Sequence, residues 1–426
     1  MPDKMYTQPG SSIENKTGAW REGIIPNITD ACVECMQCYT FCPEGIILLP
    51  QELGPRIAST LEKLAKVFPG GKGGFPAIKA AGKAKPVIDY DYCKGCGICA
   101  EECPTDSIKM IGNLEAPAQE HTGYTGLGGE LFAPGHSSCA GCGNALAIRY
   151  VLEGVKYSEF SPIVVSPTGC TEIFTTIFPY SSWKVPWVHS LFENSPALAS
   201  GIAEGIAAKG LKEKPIVIAG DGATADIGFQ SLSGMLERGH NVLYVMLDNQ
   251  AYMNTGIQRS SATPLGAGTT TSVGGKAILG KQQVRKPLVE IIGAHEGVWS
   301  ATASIADPVD LMAKAYYFFN NVEGPGFIQV FAPCPRGWRF PSKNTIKVAK
   351  AALETGAWLL YLINDEGKLF MTMDVRPTKD VREYLKLQGR FRHLFREEGG
   401  EELIQNIKRV NKERIERLLE RASQVK

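Results

Sequence analysis

The sequence has no excess of either charge: 45 Lys and Arg stand against 44 Asp and Glu, for a net charge of +1. That balance speaks against a protein that binds nucleic acid or anionic membrane surfaces, because such affinity comes from surplus basic residues. No apolar run approaches the roughly 18 residues needed to cross a bilayer. The opening stretch MPDKMYTQPG lacks the apolar segment that directs export, so a cytoplasmic location is expected. Without export, the sequon Asn27-Ile28-Thr29 carries no weight. Internal repeats are missing too, apart from one doubled cysteine run. Cysteine, by contrast, is plentiful, with 12 residues. Disulfides are disfavoured in a reducing compartment, so metal ligation or catalysis is the expected use of these thiols.

A chain of 426 residues, 44% hydrophobic and 21% charged, has enough material for two to three domains with good cores. Residues 1–30 are polar and rich in Gly and Pro, and read as an extended arm with no core of its own. Residues 31–115 hold eight cysteines in a small unit. Inside it, 50–86 reads as an insertion with a short helical pattern (Leu61, Leu64, Ala65, Phe68) followed by PGGKGGFP. That Gly-rich piece lacks Walker spacing and a preceding strand, so it reads as a linker.

Residues 116–345 alternate short β-branched runs with helical stretches. Strands are expected at 163–165, 216–219, 242–247 and 326–331, with helices at 195–209, 226–238 and 308–320. This alternation predicts an α/β, doubly wound and mostly parallel sheet. Residues 346–426 read as a helical extension ending in an amphipathic helix, with Leu403, Ile407, Val410, Ile415 and Leu418 near helical spacing. The cations of 378–426 read as a solvated face.

Two cysteine runs share one spacing. Cys32-x2-Cys35-x2-Cys38-x3-Cys42-Pro43 is repeated as Cys93-x2-Cys96-x2-Cys99-x3-Cys103-Pro104. This is the bacterial ferredoxin run for [4Fe–4S] clusters, in which the fourth cysteine of each run ligates the other cluster. One cluster is then expected on Cys32, Cys35, Cys38 and Cys103, and the other on Cys93, Cys96, Cys99 and Cys42. A tight loop lets three thiolates and several N–H groups converge on one cubane, and the proline fixes the chain's exit. Paired zinc sites, the rival reading, usually show two C-x2-C pairs with a long gap instead.

Ala219-Gly220-Asp221-Gly222 follows the expected strand at 216–219, and Asp248-Asn249 ends the next one. A GDG turn followed at this distance by Asn resembles the thiamine-diphosphate fingerprint. Mg²⁺ takes hard oxygen ligands and bridges a diphosphate. Asp221, the side-chain carbonyl of Asn249 and the backbone carbonyl of Ala251 are the expected protein ligands. Gly220, Gly222 and Ala223 would let the backbone and a helix N-terminus approach the phosphates. The bland alternative is an ordinary βα turn.

Four cysteines remain: Cys139 and Cys142 in a C-x2-C, Cys170 after Thr168-Gly169, and Cys334 in Ala332-Pro333-Cys334-Pro335. Singly, each could be an inert core residue. Together they are the number a cubane requires. In this order, the segments Gly135-His136-Ser137-Ser138-Cys139-Ala140-Gly141-Cys142-Gly143, Thr168-Gly169-Cys170, the GDG turn and Ala332-Pro333-Cys334-Pro335-Arg336-Gly337-Trp338 resemble the thiamine-diphosphate subunit of the 2-oxoacid:ferredoxin oxidoreductases. The stretches 185–187, 189–194 and 252–261 are similar as well. The resemblance covers roughly 131–365. Residues 14–112 look like the separate small ferredoxin subunit of the same complexes, so the chain resembles a fusion of the two.

The resemblance implies the thiamine-diphosphate-binding fold behind a ferredoxin-like α+β domain. It implies thiamine diphosphate, Mg²⁺ and three [4Fe–4S] clusters as cofactors, and coenzyme A as co-substrate. Cys139, Cys142, Cys170 and Cys334 would hold the cluster nearest the thiamine, and Asn254, Thr168 and Cys170 would line the pocket. His136, His189 and Glu193 sit in matching stretches and read as structural. An α subunit would bring the pyrimidine-binding domain and its glutamate. A γ subunit, ferredoxin or a similar electron acceptor, and assembly as a dimer of heteromers complete the expected partners. Pyruvate leads among substrates, with branched-chain and aryl 2-oxo acids such as phenylglyoxylate as alternatives. Two rivals stay open: an electron-transfer subunit with an inactive thiamine domain, and a non-redox thiamine decarboxylase or synthase with an appended ferredoxin.

Overall fold

Short β-branched runs with apolar residues on both faces belong in the middle of a sheet, where helices cover each side. In the computed structural model, which describes residues 7–50, 85–113 and 124–424, this rule builds the larger part of the molecule. Five strands belong to the small N-terminal unit: β1 (Ile24–Ile28), β2 (Ile47–Pro50), β3 (Val87–Ile88), β4 (Ile108–Gly112) and β5 (Tyr124–Thr125). The large unit contains β6 (Ser161–Pro167), β7 (Trp187–Ser190), β8 (Glu213–Gly220), β9 (Leu243–Asp248), β10 (Trp299–Ser304), β11 (Gly326–Phe331), β12 (Tyr361–Ile363) and β13 (Leu369–Met371).

The eight strands of the large unit form one sheet in the order β13-β12-β10-β11-β9-β8-β6-β7. Pairings from β10 across to β7 are all parallel, and β12 and β13 add an antiparallel edge. Strands β9, β10 and β11 are buried at every position. The helices Ser195–Lys209, Phe229–Glu237 and Pro308–Asn320 fall close to expectation. The middle one starts late because 223–228 first make a wide turn, with Gly228 N–H donating to Ala223 O five residues back at 2.9 Å. Such wide turns gather at functional sites. The helix Gly143–Val155 is buried along its whole length and packs against Pro308–Asn320.

The small unit shows the doubling seen in its cysteines. Each run contains a single helical turn, Gln37–Thr40 and Ile98–Glu101. β1 pairs antiparallel with β4, and β2 with β3. No described helix is long and apolar enough to cross a membrane.

Three expectations need correction. Residues 346–426 are not wholly helical. The apolar run at 358–363 and the segment after it form the β12–β13 hairpin, closed where Asn364 N–H donates to Lys368 O at 3.0 Å. Helices flank this hairpin at Thr345–Glu354 and Gly400–Ser423. Nor does the ferredoxin unit begin at residue 31. Ile24–Ile28 is a strand of the ferredoxin unit, and Ser12 Oγ and Asn15 Nδ2 donate to Pro134 O and Gly135 O at 2.6 and 2.8 Å. Hydrogen bonds hold the first half of the described arm, while Ile25 is buried and Ile28 packs against the core. Third, the cations of 378–426 are mostly solvated and paired, but Arg390 is buried, its guanidinium 3.6 Å from the Trp338 ring centroid. The helical pattern and the Gly-rich stretch expected in the 50–86 insertion lie outside the described residues.

Candidate active site and cluster sites

Parallel strands all point one way, so the chain leaves each of them at the same edge of the sheet, where open α/β sheets bind ligands. Four neighbouring strands use that edge. β6 leads to Thr168 and Cys170, β8 to Asp221, β9 to Asn249, and β11 to Cys334. A cavity of about 200 Å³ opens there, lined by Thr168, Cys170, Gly220, Asp221, Gly222, Ala223, Asn249, Ala251 and Asn254, with Phe192, Tyr252 and Met253 adding apolar wall. Every residue expected to bind or act on the thiamine cofactor lines this one space.

The turn after β9 gathers polar groups around the Asn249 amide. One polar atom of the Asn249 amide lies 2.9 Å from Asp221 Oδ1 and 2.8 Å from Ala251 O, and the other faces Asn144 Nδ2 at 3.3 Å. With nitrogen inward, the amide donates to both oxygens. Turned over, it brings three oxygens together, which requires a positive ion between them. Octahedral Mg²⁺ spaces neighbouring ligand oxygens about 2.9 Å apart. The donor set and its spacing therefore fit the ion. Asp221 is 1% exposed. Burial, and then the nearby Asp248, hold its carboxyl well above the usual range, while Ser260 Oγ donates to its second oxygen. A cation would offset that unfavourable buried charge.

The residues around this turn fix its shape. Gln250, between Asn249 and Ala251, has φ 64° and is buried, a conformation that persists only when its surroundings hold it. Its N–H donates to Asp248 Oδ1 at 3.1 Å, and its Oε1 accepts from Arg390 Nη2 at 2.7 Å. Trp338 Nε1 donates to the Asn249 carbonyl at 2.8 Å. Gly222 is required by a close approach: a Cβ there would come within 2.4 Å of the Tyr252 ring. Gln250, Trp338 and Arg390 were not found as supports from sequence. Only Trp338, through its place in the Cys334 motif, carried any signal.

Several of the cysteines act on one another electrostatically. Burial, and then Cys334, Cys139 and Cys170, raise the Cys142 thiol far above its usual range. Cys170 is pushed up to about 12 by burial, then by Cys334, Cys139 and Asp221. Cys170 thus lies within electrostatic reach of Cys334, Cys139 and Asp221, and it lines the same cavity as Asp221. In the small unit, Cys42 acts on Cys93, Cys96 and Cys99 beyond the effect of burial, and Cys32 and Cys35 act on Cys38. Cys103 reaches the first run through Ser107, whose N–H donates to Cys103 Sγ at 3.2 Å and whose Oγ donates to Ala31 O at 2.7 Å. Backbone N–H groups of Glu34 and Gly337 also donate to Cys32 Sγ and Cys334 Sγ, at 3.4 and 3.3 Å. Bonds of this kind tune cluster potentials.

His136, His189 and Glu193 do not line the cavity. His136 is buried, stacks on Phe132 at 5.3 Å and is kept neutral chiefly by burial. His189 stacks on Trp187 at 6.0 Å.

Comparison with known proteins agrees with this geometry. Residues 167–330 match the thiamine pyrophosphate enzyme C-terminal TPP-binding domain. Residues 31–107 and 85–147 match two 4Fe–4S dicluster domain families. Pyruvate synthase subunit PorB of Pyrococcus horikoshii is 45% identical over 306 residues, spanning 66% of this chain and 92% of the relative. PorB of Methanocaldococcus jannaschii is 48% identical over 279 residues, 63% of this chain and 91% of the relative. Ketoisovalerate oxidoreductase subunit VorB of Pyrococcus abyssi is 43% identical over 298 residues, 68% of this chain and 94% of the relative. The chain therefore belongs to the family of the pyruvate synthase PorB subunits, the thiamine-diphosphate subunits of the 2-oxoacid:ferredoxin oxidoreductases, and carries a 4Fe–4S dicluster domain joined ahead of that subunit.

Proposed function

We propose that this chain is the thiamine-diphosphate half of a cytoplasmic enzyme that oxidatively decarboxylates pyruvate, with coenzyme A as acyl acceptor. A 2-oxo acid anion and CoA–SH give acyl-CoA and CO₂, and release one proton and two electrons. Thiamine diphosphate, held through Mg²⁺, supplies the carbanion chemistry that breaks the bond to the carboxylate. Asp221, Asn249 and the Ala251 carbonyl hold the metal, and Gly220, Gly222 and Ala223 bring backbone to the diphosphate. Thr168, Cys170 and the exposed Asn254 amide face the substrate end of the cavity. Cys139, Cys142, Cys170 and Cys334 would hold a [4Fe–4S] cluster, which would supply one-electron chemistry beside the cavity. Cys42, Cys93, Cys96 and Cys99 would hold a second cluster, and Cys32, Cys35, Cys38 and Cys103 a third, which with Cys35 exposed would suit electron exchange with ferredoxin or a similar acceptor.

One observation carries this reading: Cys170 lines the same cavity as Asp221 and Asn249 while interacting with Cys139 and Cys334. A non-redox decarboxylase has no use for a cluster at that point. Exposed apolar side chains also support a partner subunit. Ile173, Ile177, Phe178, Val188, Leu191 and Ile227 lie in the segments that carry the cavity residues Thr171, Phe192 and Ala223, and all are exposed, Phe178 at 71% and Leu191 at 64%. Exposed apolar side chains of this kind suit an interaction surface, and an α subunit would bring the pyrimidine-binding domain and its glutamate. A γ subunit and pairing into a dimer of heteromers complete the assembly, with coenzyme A bound mostly on partners. A branched-chain 2-oxo acid is the second reading, because the VorB relative matches about as well as PorB.

The test is a panel of 2-oxo acids on the purified complex, with coenzyme A and a viologen acceptor. Pyruvate should give the highest kcat/KM, and a preference for 2-oxoisovalerate would select the second reading. Three cubanes require about 12 irons per chain. Cys170→Ala should abolish 2-oxo-acid-driven reduction while the dicluster signals remain. Activity surviving that change would refute the four-cysteine assignment, and a purified complex without thiamine would leave only an electron-transfer role.

A further inference from the structure

Between the dicluster unit and the thiamine domain lies a buried ion pair that belongs to neither cofactor site. Lys94 follows Cys93 directly, and its side chain crosses into the thiamine domain. Its ammonium donates to His136 O and Ser138 O, both at 2.8 Å, and to Ser138 Oγ at 3.3 Å. Ser138 directly precedes Cys139. Glu44, two residues after Cys42, places Oε2 2.9 Å from the same ammonium. The Lys94 and Glu44 side chains are only 3% and 4% exposed. A single buried charge pair therefore ties together the loops of Cys42, Cys93 and Cys139.

Two further braces hold the same seam. Arg149, fully buried on the helix that starts after Cys142, donates to Pro43 O at 2.8 Å, to Glu44 O and to Leu127 O at 3.1 Å. Ser342 Oγ donates to Cys96 O at 3.3 Å, while Thr345 Oγ1 donates to Gly141 O at 2.8 Å. Burying charges is costly, and an apolar contact of the same size would hold two surfaces together as well. What an ion pair with directed hydrogen bonds adds is a unique register. Register matters here because electron tunnelling falls exponentially with the gap, so a seam that slides would slow the relay.

We propose that Lys94 is a positioning residue for electron transfer between the cluster of Cys139, Cys142, Cys170 and Cys334 and the cluster of Cys42, Cys93, Cys96 and Cys99. This rests on the cluster assignment proposed above. Lys94 locks the two cysteine loops at one separation, and its ammonium puts a fixed positive charge between two anionic clusters. The electron crosses the seam, and Lys94 neither gains nor loses a bond.

The experiment uses the complete complex carrying Lys94→Met, and a second variant, Lys94→Met with Glu44→Gln, that leaves no uncompensated charge. Iron content and the dithionite-reduced spectra of the dicluster unit should be unchanged in the double variant. The 2-oxo acid should still reduce the first cluster with an unaltered KM. On rapid freezing, the reduced dicluster signal should appear at least tenfold more slowly, and the magnetic interaction between reduced clusters should weaken. Hydrogen exchange of 93–97 and 136–142 should rise in the absence of substrate. Wild-type transfer rate and magnetic interaction in the iron-replete double variant would overturn the proposal. Loss of dicluster iron from both variants would overturn it too, making Lys94 an assembly residue. Failure of the wild-type complex to reduce any cluster with a 2-oxo acid would instead defeat the function proposed above.

Discussion

Trp338→Phe separates the shape of the metal turn from the stability of the fold. The indole Nε1 makes a 2.8 Å hydrogen bond to the Asn249 carbonyl, and Trp338 is 0% exposed. Phenylalanine keeps an aromatic ring there but has no donor. A buried carbonyl left without a partner costs about 1–3 kcal/mol. The smaller ring leaves a void of a few tens of Å³, adding about 1 kcal/mol at roughly 24 cal/mol per Å³. Arg390 stacks on this ring at 3.6 Å, and a weaker face for the cation removes up to about 1 kcal/mol more. Global stability should therefore fall by about 2–5 kcal/mol. The specific claim concerns how that loss is divided. The peptide that Trp338 holds carries the Asn249 amide, and the next residue but one supplies Ala251 O. If the freed carbonyl lets the turn relax when no ion is present, binding Mg²⁺ must restore it. Mg²⁺ affinity at saturating thiamine diphosphate should then weaken about tenfold, equal to about 1.4 kcal/mol. Titrating metal-stripped complex with Mg²⁺ reads this directly, and the visible absorption of the clusters serves as a control that should not move. An unchanged Mg²⁺ affinity in a protein with a lowered melting temperature would refute the reasoning and reduce Trp338 to a packing residue.

Two further changes probe other supports. A Cβ at Gly337 would lie 2.2 Å from Met253 Sδ and 2.7 Å from its Cε. Gly337→Ala should therefore push Met253 into the cavity, cost about 1–3 kcal/mol and lower kcat/KM. Adding Met253→Ala should recover most of the activity, and failure of that rescue would break the link. Lys214, buried and donating to Phe318 O and Val322 O at 3.1 and 2.9 Å, has its pKa pushed down by burial to about 7, from 10.5. Between those values the unfolded chain holds a proton that the folded chain does not, so stability rises with pH across the window, by at most about 1.4 kcal/mol per unit. Urea midpoints from pH 7.5 to 9.5 should climb more steeply for the wild type than for Lys214→Met. Parallel curves would show that the two carbonyls keep the ammonium charged.

What the sequence made legible is what short spacing dictates. Three cysteines at successive x2 gaps can close on one cubane within a single loop, so the ferredoxin runs needed no tertiary information. The GDG turn and Asn249 were readable for a related reason: each ends an apolar strand, and parallel strands deliver their ends to one edge. Cys139, Cys170 and Cys334 are far apart in the chain, and only their number and neighbouring residues suggested that they meet. What stayed hidden depends on partners that no local pattern announces. Trp338 lies 89 residues from the carbonyl it holds, and Arg390 reaches Gln250 across 140 residues. The tail misled because a charged, helix-rich stretch contains one apolar run, 358–363, long enough for the edge of a sheet. That hairpin pairs beside β10 at the edge of the sheet. Arg390 follows, and its guanidinium enters between Trp338 and Gln250, so the unremarkable tail braces the metal turn. Lys94 was hidden differently. It stands inside the most recognisable motif of the chain, where its cysteine neighbours account for the spacing. Its partners Ser138 and Glu44 come from two other loops, so its role appears only once the two units are seen packed together.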